Sequence, residues 1–168
     1  MIDEHAEQDD LLPGRWVADA PPGTTLVVFG LRVNRWGRVA SWLPLVRSLR
    51  RMIAEAESRP EESGLLWARQ WRDGRTFTVL SYWRDYERAM AWAQDDRFIH
   101  RGVWRRYNRG RVGDSGDVGL WHEVIEIDPA RLHTIYRDID RRGLAAATRY
   151  EDATEAHRRK HQQSLGDT

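Results

Sequence analysis

The chain contains no cysteine. That removes disulfides, thiolate nucleophiles, iron–sulfur clusters and cysteine-ligated haem together. Lysine is almost missing too: Lys160 is the only one among 27 basic residues, a bias that points to G+C-rich coding. Charge of either sign is hardly in excess, with a formal net of +1. Neither nucleic acid nor a membrane surface is expected as a partner. No apolar run follows a basic start, and residues 1–10 are acidic instead. A signal peptide and a spanning helix are not expected, and a cytoplasmic location is. No His-x-Glu-x-x-His segment or closed zinc set occurs.

What is present starts with tryptophan. Nine in 168 residues is many. A cluster of indoles suggests a bulky core or an aromatic-lined cavity. Apolar residues make up 40%, enough for the core of one domain.

Residues 1–22 are polar and carry Pro13, Pro21 and Pro22, and read as a loose N-terminal arm. Val27, Phe29, Leu31 and Val33 alternate within a first strand over 24–34. Val39, Trp42, Leu43, Val46, Leu49 and Ile53 recur at helical spacing and predict a helix over 38–58. Two strands over 65–72 and 76–83 flank Asp73-Gly74, a hairpin signal. A second helix starts near Asp85, is broken at Asp95-Asp96 and resumes over 97–109. A fourth strand covers 117–127. Asp128-Pro129 reads as the start of a third helix with Leu132, Ile135, Tyr136 and Ile139 on one face. Residues 148–168 read as a polar C-terminal tail. The order β-α-β-β-α-β, then α, predicts an α+β, ferredoxin-like fold over 23–147 with an extra C-terminal helix. Its strands carry apolar residues on both faces, so a second copy of the sheet is expected to close a dimeric barrel.

Chemistry concentrates in His100 to Glu123, HRGVWRRYNRGRVGDSGDVGLWHE. His100, Trp104 and Asn108 are spaced i, i+4, i+8, with Arg101 and Tyr107 flanking them. His122 shares a strand face with Val118, Leu120 and Val124, while Trp121 and Glu123 point the other way. A histidine amid Val and Leu must be hydrogen-bonded or functional. Asp114 and Asp117 bracket a Gly-Ser turn and could bind a cation or an arginine. The interleaved arginines, Arg105 among them, suit salt bridges or the carboxylates of a bound haem or acidic substrate better than RNA. Arg32 and Arg69 lie on strands, where a cavity carboxylate is one candidate partner.

FGLRVNRW, WLPLVRSLRRM, the Tyr-Trp ending the third strand, the 100–123 run and RGLAAA resemble the fumagillin-pathway monooxygenase-like family. This belongs to the dimeric α+β barrel (antibiotic biosynthesis monooxygenase-like) superfamily. The resemblance covers 24–147 and implies an oxidoreductase, a monooxygenase acting on a small hydrophobic or aromatic molecule as a homodimer. The superfamily includes cofactor-free oxygenases and haem-dependent enzymes. In its haem-degrading branch a Trp, a Ser-Asp pair and a Phe on the second helix precede an axial His ten residues after the Trp. Trp92, Asp95-Asp96 and Phe98 match that spacing, but Gly102 stands at the axial position and His100 comes two residues early. That offset turns a helix by about 200°. Two mechanisms follow. With haem, His100 is the metal ligand, and Trp104 and Arg105 help hold the cofactor. Without it, His122 is the base, assisted by Asn108, and Trp92, Trp121, Arg32 and Tyr107 border the substrate. The alternative outside enzymology is a dimeric protein that binds a hydrophobic ligand.

Overall fold

The computed structural model describes residues 11–109 and 114–158. They fall into two compact units, one within 22–127 and a second drawn from 11–21 and 128–158. The first strand, β1 (Leu12–Asp19), belongs to the second unit.

The larger unit runs β2 (Thr25–Val33), α1 (Val39–Ser58), α2 (Pro60–Ser63), β3 (Leu65–Asp73), β4 (Thr76–Trp83), α3 (Tyr86–Gln94), α4 (Ile99–Arg109) and β5 (Val118–Glu126). Its four strands form one antiparallel sheet in the order β3-β4-β2-β5. The first and third strands of this unit are therefore central, and the second and fourth are edges. That is the α+β, ferredoxin-like arrangement expected from the sequence.

Register sorts the side chains. Phe29 pairs with Val79 and His122, and Leu31 with Phe77 and Leu120. Directly opposed residues share a face, so these point together with Val33 and Val118 towards the helices. There they meet Leu45, Leu49, Met52 and Ile53 of α1 and Ala89 and Trp92 of α3 in one apolar cluster. The other face carries Val28, Leu80, Tyr82, Trp71 and Ile125. Trp71 and Ile125 are 45% and 49% exposed, unusual for side chains of that size.

Local chemistry explains the boundaries. Asp85 caps α3 by accepting a 2.7 Å hydrogen bond from the Arg88 N–H. The helix ends at Gln94 because Asp95 is extended, and it resumes at Ile99. Pro44 lies inside α1 rather than in its first turn, so its missing N–H forfeits one helical bond. The tight turn between β3 and β4 is Gly74-Arg75, one residue beyond the expected pair. Gly74 takes φ +53°, which a side chain disfavours.

The second unit corrects three expectations. Leu12–Asp19, placed in a loose arm, is strand β1. The helix expected from Asp128 ends after a single 3-10 turn, Pro129–Arg131. Beyond it the Thr134 hydroxyl bonds the Ala18 N–H and C=O, and β6 (Tyr136–Ile139) pairs with β1. Cross-strand bonding thus overrides a helical apolar spacing. Helical residues return at Leu144–Ala147. Part of the expected polar tail is β7 (Arg149–Asp152), which completes the sheet order β6-β1-β7. Residues 153–158 are helical, and the rest of the tail lies outside the described residues. Trp16 stacks on Tyr150 at 5.0 Å, giving this small sheet an aromatic face.

Candidate active site

Between the sheet of the larger unit and its helices lies a cavity of about 360 Å³. Its floor is Val27, Phe29, Leu31 and Leu120 on β2 and β5. Leu45, Leu49 and Met52 of α1 and Met90, Trp92 and Ala93 of α3 form its walls. His100, Val103, Trp104 and Tyr107 of α4 form another side. The described lining is apolar or aromatic except for Gln94, His100, His122 and the polar edges of Trp and Tyr, and it holds no Asp, Glu, Lys or Arg. Such a lining suits a neutral organic molecule with few polar groups.

His100 is the best-defined polar group. Its Nδ1 lies 2.8 Å from the Ala93 carbonyl oxygen, an orphan acceptor at the C-terminal end of α3. A carbonyl has no proton to give, so Nδ1 carries the hydrogen, and in the neutral ring Nε2 keeps its lone pair. The ring packs on Trp92 with centroids 4.8 Å apart. Burial pushes its pKa below the usual histidine value. The Ala93 hydrogen bond opposes that fall, and the charge of nearby His122 adds to it. The result is an imidazole biased to its neutral form, held at Nδ1 by Ala93 and with no hydrogen-bond partner at Nε2 among the described residues, on an apolar cavity.

His122 also borders the cavity, on the helix-facing side of β5 with Val118, Leu120 and Val124, but it is exposed. Trp104 beside the cavity is 43% exposed. Trp121 touches the cavity through its strand, while its ring points to the opposite face. There its Nε1 lies 3.1 Å from where a Cβ on Gly30 would stand. Tyr107 lines the cavity and donates from its hydroxyl to the Val118 carbonyl at 3.1 Å, tying α4 to β5.

Three candidates lie off the cavity. Asn108 is exposed and absent from the lining. Eight residues carry a helix about 80° past two full turns, so the i, i+8 partner leaves the face that i and i+4 share. Arg105 is held by Asp96 at 2.9 Å, and Arg101 by the same carboxylate at 3.0 Å. Arg32 is exposed, on the sheet face away from the helices. Asp117 is buried and serves the fold: Ser41 donates to it at 2.9 Å and Arg35 at 3.2 Å. The Ser41 hydrogen bond leads in holding its carboxyl below the usual carboxylate range, with Ser115 and Arg35 helping. Arg111 lies outside the described residues.

Sequence reasoning missed Phe29, Trp83, Met90 and Gln94 as cavity residues. The pattern of Phe29, Trp83 and Met90 signals burial, and burial against a cavity looks the same in sequence as burial in a core; Gln94 is exposed and gives no such signal.

Haem suits this site poorly. His100 Nε2 is free to ligate iron, but the described lining offers no cation to meet the propionates. Among the described residues no group of three or more metal-ligating side chains converges. No helix of the described residues is long and apolar enough to cross a membrane.

A model of the family described as monooxygenase af470-like matches residues 24–144. No curated protein matches the chain. Solved structures resemble it weakly. A conserved protein from Bacteroides thetaiotaomicron, described as a possible oxidoreductase, is 14% identical, with a TM-score of 0.44 over 64% of this chain and 100% of that one. SnoaB, a cofactor-independent oxygenase from Streptomyces nogalater, is 11% identical, with a TM-score of 0.41 over 63% of this chain and 94% of the other. An aldoxime dehydratase is 15% identical, with a TM-score of 0.46 over 79% and 41%. Likeness at these scores carries no argument about activity.

Proposed function

This chain belongs to the monooxygenase af470-like family, and on that premise we propose that it is an oxygenase-type enzyme acting on a small, neutral, hydrophobic or aromatic molecule without a bound cofactor. The observation that carries this reading is the free Nε2 of His100 beside an apolar cavity. The substrate supplies the electrons and dioxygen is the oxidant. His100 Nε2 takes a proton from an activated C–H, a role first given by sequence to His122. The carbanion adds to dioxygen to give a peroxide. The peroxide takes up a proton and loses water, leaving a carbonyl: the CH2 group and O2 become C=O and H2O. The proton held on His100 returns to the peroxide, and His122, exposed at the cavity, links that exchange to solvent. Apolar walls favour the neutral substrate and exclude the water that would quench a carbanion.

The working form is a homodimer joined through the sheet face that carries Trp71, Leu80 and Ile125. Large exposed apolar side chains on one face of a sheet favour that partner.

Oxygen consumption with a panel of activated aromatic ketones and phenols, in protein freed of metals and cofactors, tests the activity. Turnover with one atom of 18O2 in the carbonyl, lost in His100→Ala, is the expected result. Turnover that survives in a His100→Ala, His122→Ala double variant overturns the assignment. Binding without oxygen uptake across the panel leaves a ligand-binding protein instead.

A further inference from the structure

We infer that Glu55 is a positioning residue, a cap supplied from another helix of the same chain that sets the tautomer and aim of His100; the inference rests on the role proposed for His100. Glu55 lies on α1, 44 positions before the residue it meets. Its Oε2 accepts the Ile99 N–H at 2.8 Å. Ile99 is the first residue of α4, so this N–H is one of the donors that a helix leaves unsatisfied. Most helices meet that need with a Ser, Thr, Asp or Asn directly before the first turn. Here the preceding residue is Phe98, which is 3% exposed and packed against Trp92 at 6.3 Å. An apolar residue committed to the core cannot cap. The carboxylate of another helix does so, and its charge is favoured at the positive end of α4.

His100 follows Ile99 directly. Its Nδ1–H points back to Ala93 across the break between α3 and α4. That hydrogen bond needs the first turn of α4 to begin in one place. Asp95 holds the connection from the other side: its side chain accepts from the Arg97 N–H and its carbonyl from the Phe98 N–H. Glu55 then fixes the next residue against α1. Without it the first turn can fray, His100 can leave Ala93, and either ring nitrogen can carry the proton.

The test reads the tautomer directly. Solution NMR of 15N-labelled protein distinguishes Nδ1–H from Nε2–H through the two ring-nitrogen shifts. The wild-type chain should show the Nδ1–H form. Glu55→Gln keeps an acceptor oxygen and should retain that form. Glu55→Ala and Glu55→Asp, the latter too short to reach, should give mixed tautomers. They should also lower kcat by about tenfold, the loss of one charge-assisted hydrogen bond, with KM little changed. A single Nδ1–H tautomer in both short variants overturns the inference, even if one of them is less stable. The spectrum needs no substrate. A wild-type chain that turns nothing over but loses its tautomer in Glu55→Asp keeps the role of Glu55 and removes only the proposed reaction.

Discussion

Replacing Gly30 and Gly102 by alanine should move stability in opposite directions. Gly30 sits in β2, the central strand between β4 and β5. A Cβ there would lie 2.4 Å from the Phe77 carbonyl oxygen and 3.1 Å from the Trp121 Nε1. The first contact is with backbone, which cannot rotate away. Either β2 and β4 separate by several tenths of an ångström, or the ladder bends. Overpacking of this kind costs about 1–3 kcal/mol. Stiffening the unfolded chain returns roughly 0.4–1 kcal/mol of it. A net loss of about 1–2 kcal/mol corresponds to a fall of about 2–8 °C in Tm for a chain of this length. Gly102 is on α4, and a Cβ there meets nothing within 4 Å. Its replacement should gain about 0.5–1 kcal/mol from helix propensity. Scanning calorimetry of the two variants beside the wild-type chain measures both signs. A Gly30→Ala protein that melts no lower than wild type would refute the claimed close approach of β2 and β4.

Three further outcomes are expected. The pKa of His100 is depressed in the folded chain below its ordinary 6.5. Between those two values the unfolded chain binds more protons, so stability should fall as pH drops through 6.5 and level off below the folded value. The urea midpoint measured at pH 7.5 and 5.5 should therefore drop less in His100→Gln than in wild type, and equal drops would count against a buried neutral imidazole. Trp71→Asp with Ile125→Asp should convert a dimer to monomers in sedimentation, and an unchanged sedimentation coefficient would place the interface elsewhere. Asp85→Ala removes the cap of α3 and should cost about 1 kcal/mol, or about 2–4 °C of Tm by circular dichroism; no change would mean that α3 is held by packing alone.

Much of the larger unit was legible because its signals are local. The alternation of Val27, Phe29, Leu31 and Val33 gives strand and face together. Asp85 and Asp95 bound α3, as their side chains foretell. The second unit was hidden because its strands are defined by partners far along the chain. Nothing near Leu12–Asp19 announces pairing with Tyr136–Ile139, and the helical spacing of Leu132, Ile135 and Tyr136 misleads. At the candidate site, histidine chemistry drew attention to His100 and His122, and both border the cavity. The tautomer of His100 was out of reach, since it depends on one carbonyl seven positions away. Asn108 lies off the cavity lining through the slow drift of a helix against a four-residue repeat.

The small sheet β6-β1-β7 also sets an order of events during synthesis. β1 precedes every strand of the larger sheet, yet among the described residues it pairs with strands that follow that sheet: Thr134 meets Ala18 across 116 positions. Every strand of the larger sheet lies between them, so that sheet is complete in sequence before β6 leaves the ribosome. Until β6 and β7 emerge, β1 is therefore left with two open edges. Such edges invite pairing with other chains. The aromatic face of Trp16, later covered by stacking with Tyr150, stands open for the same interval. Slow synthesis of the stretch from β5 to β7 would lengthen that exposure. Over that interval every strand of the larger sheet is made while β1 is still unclosed.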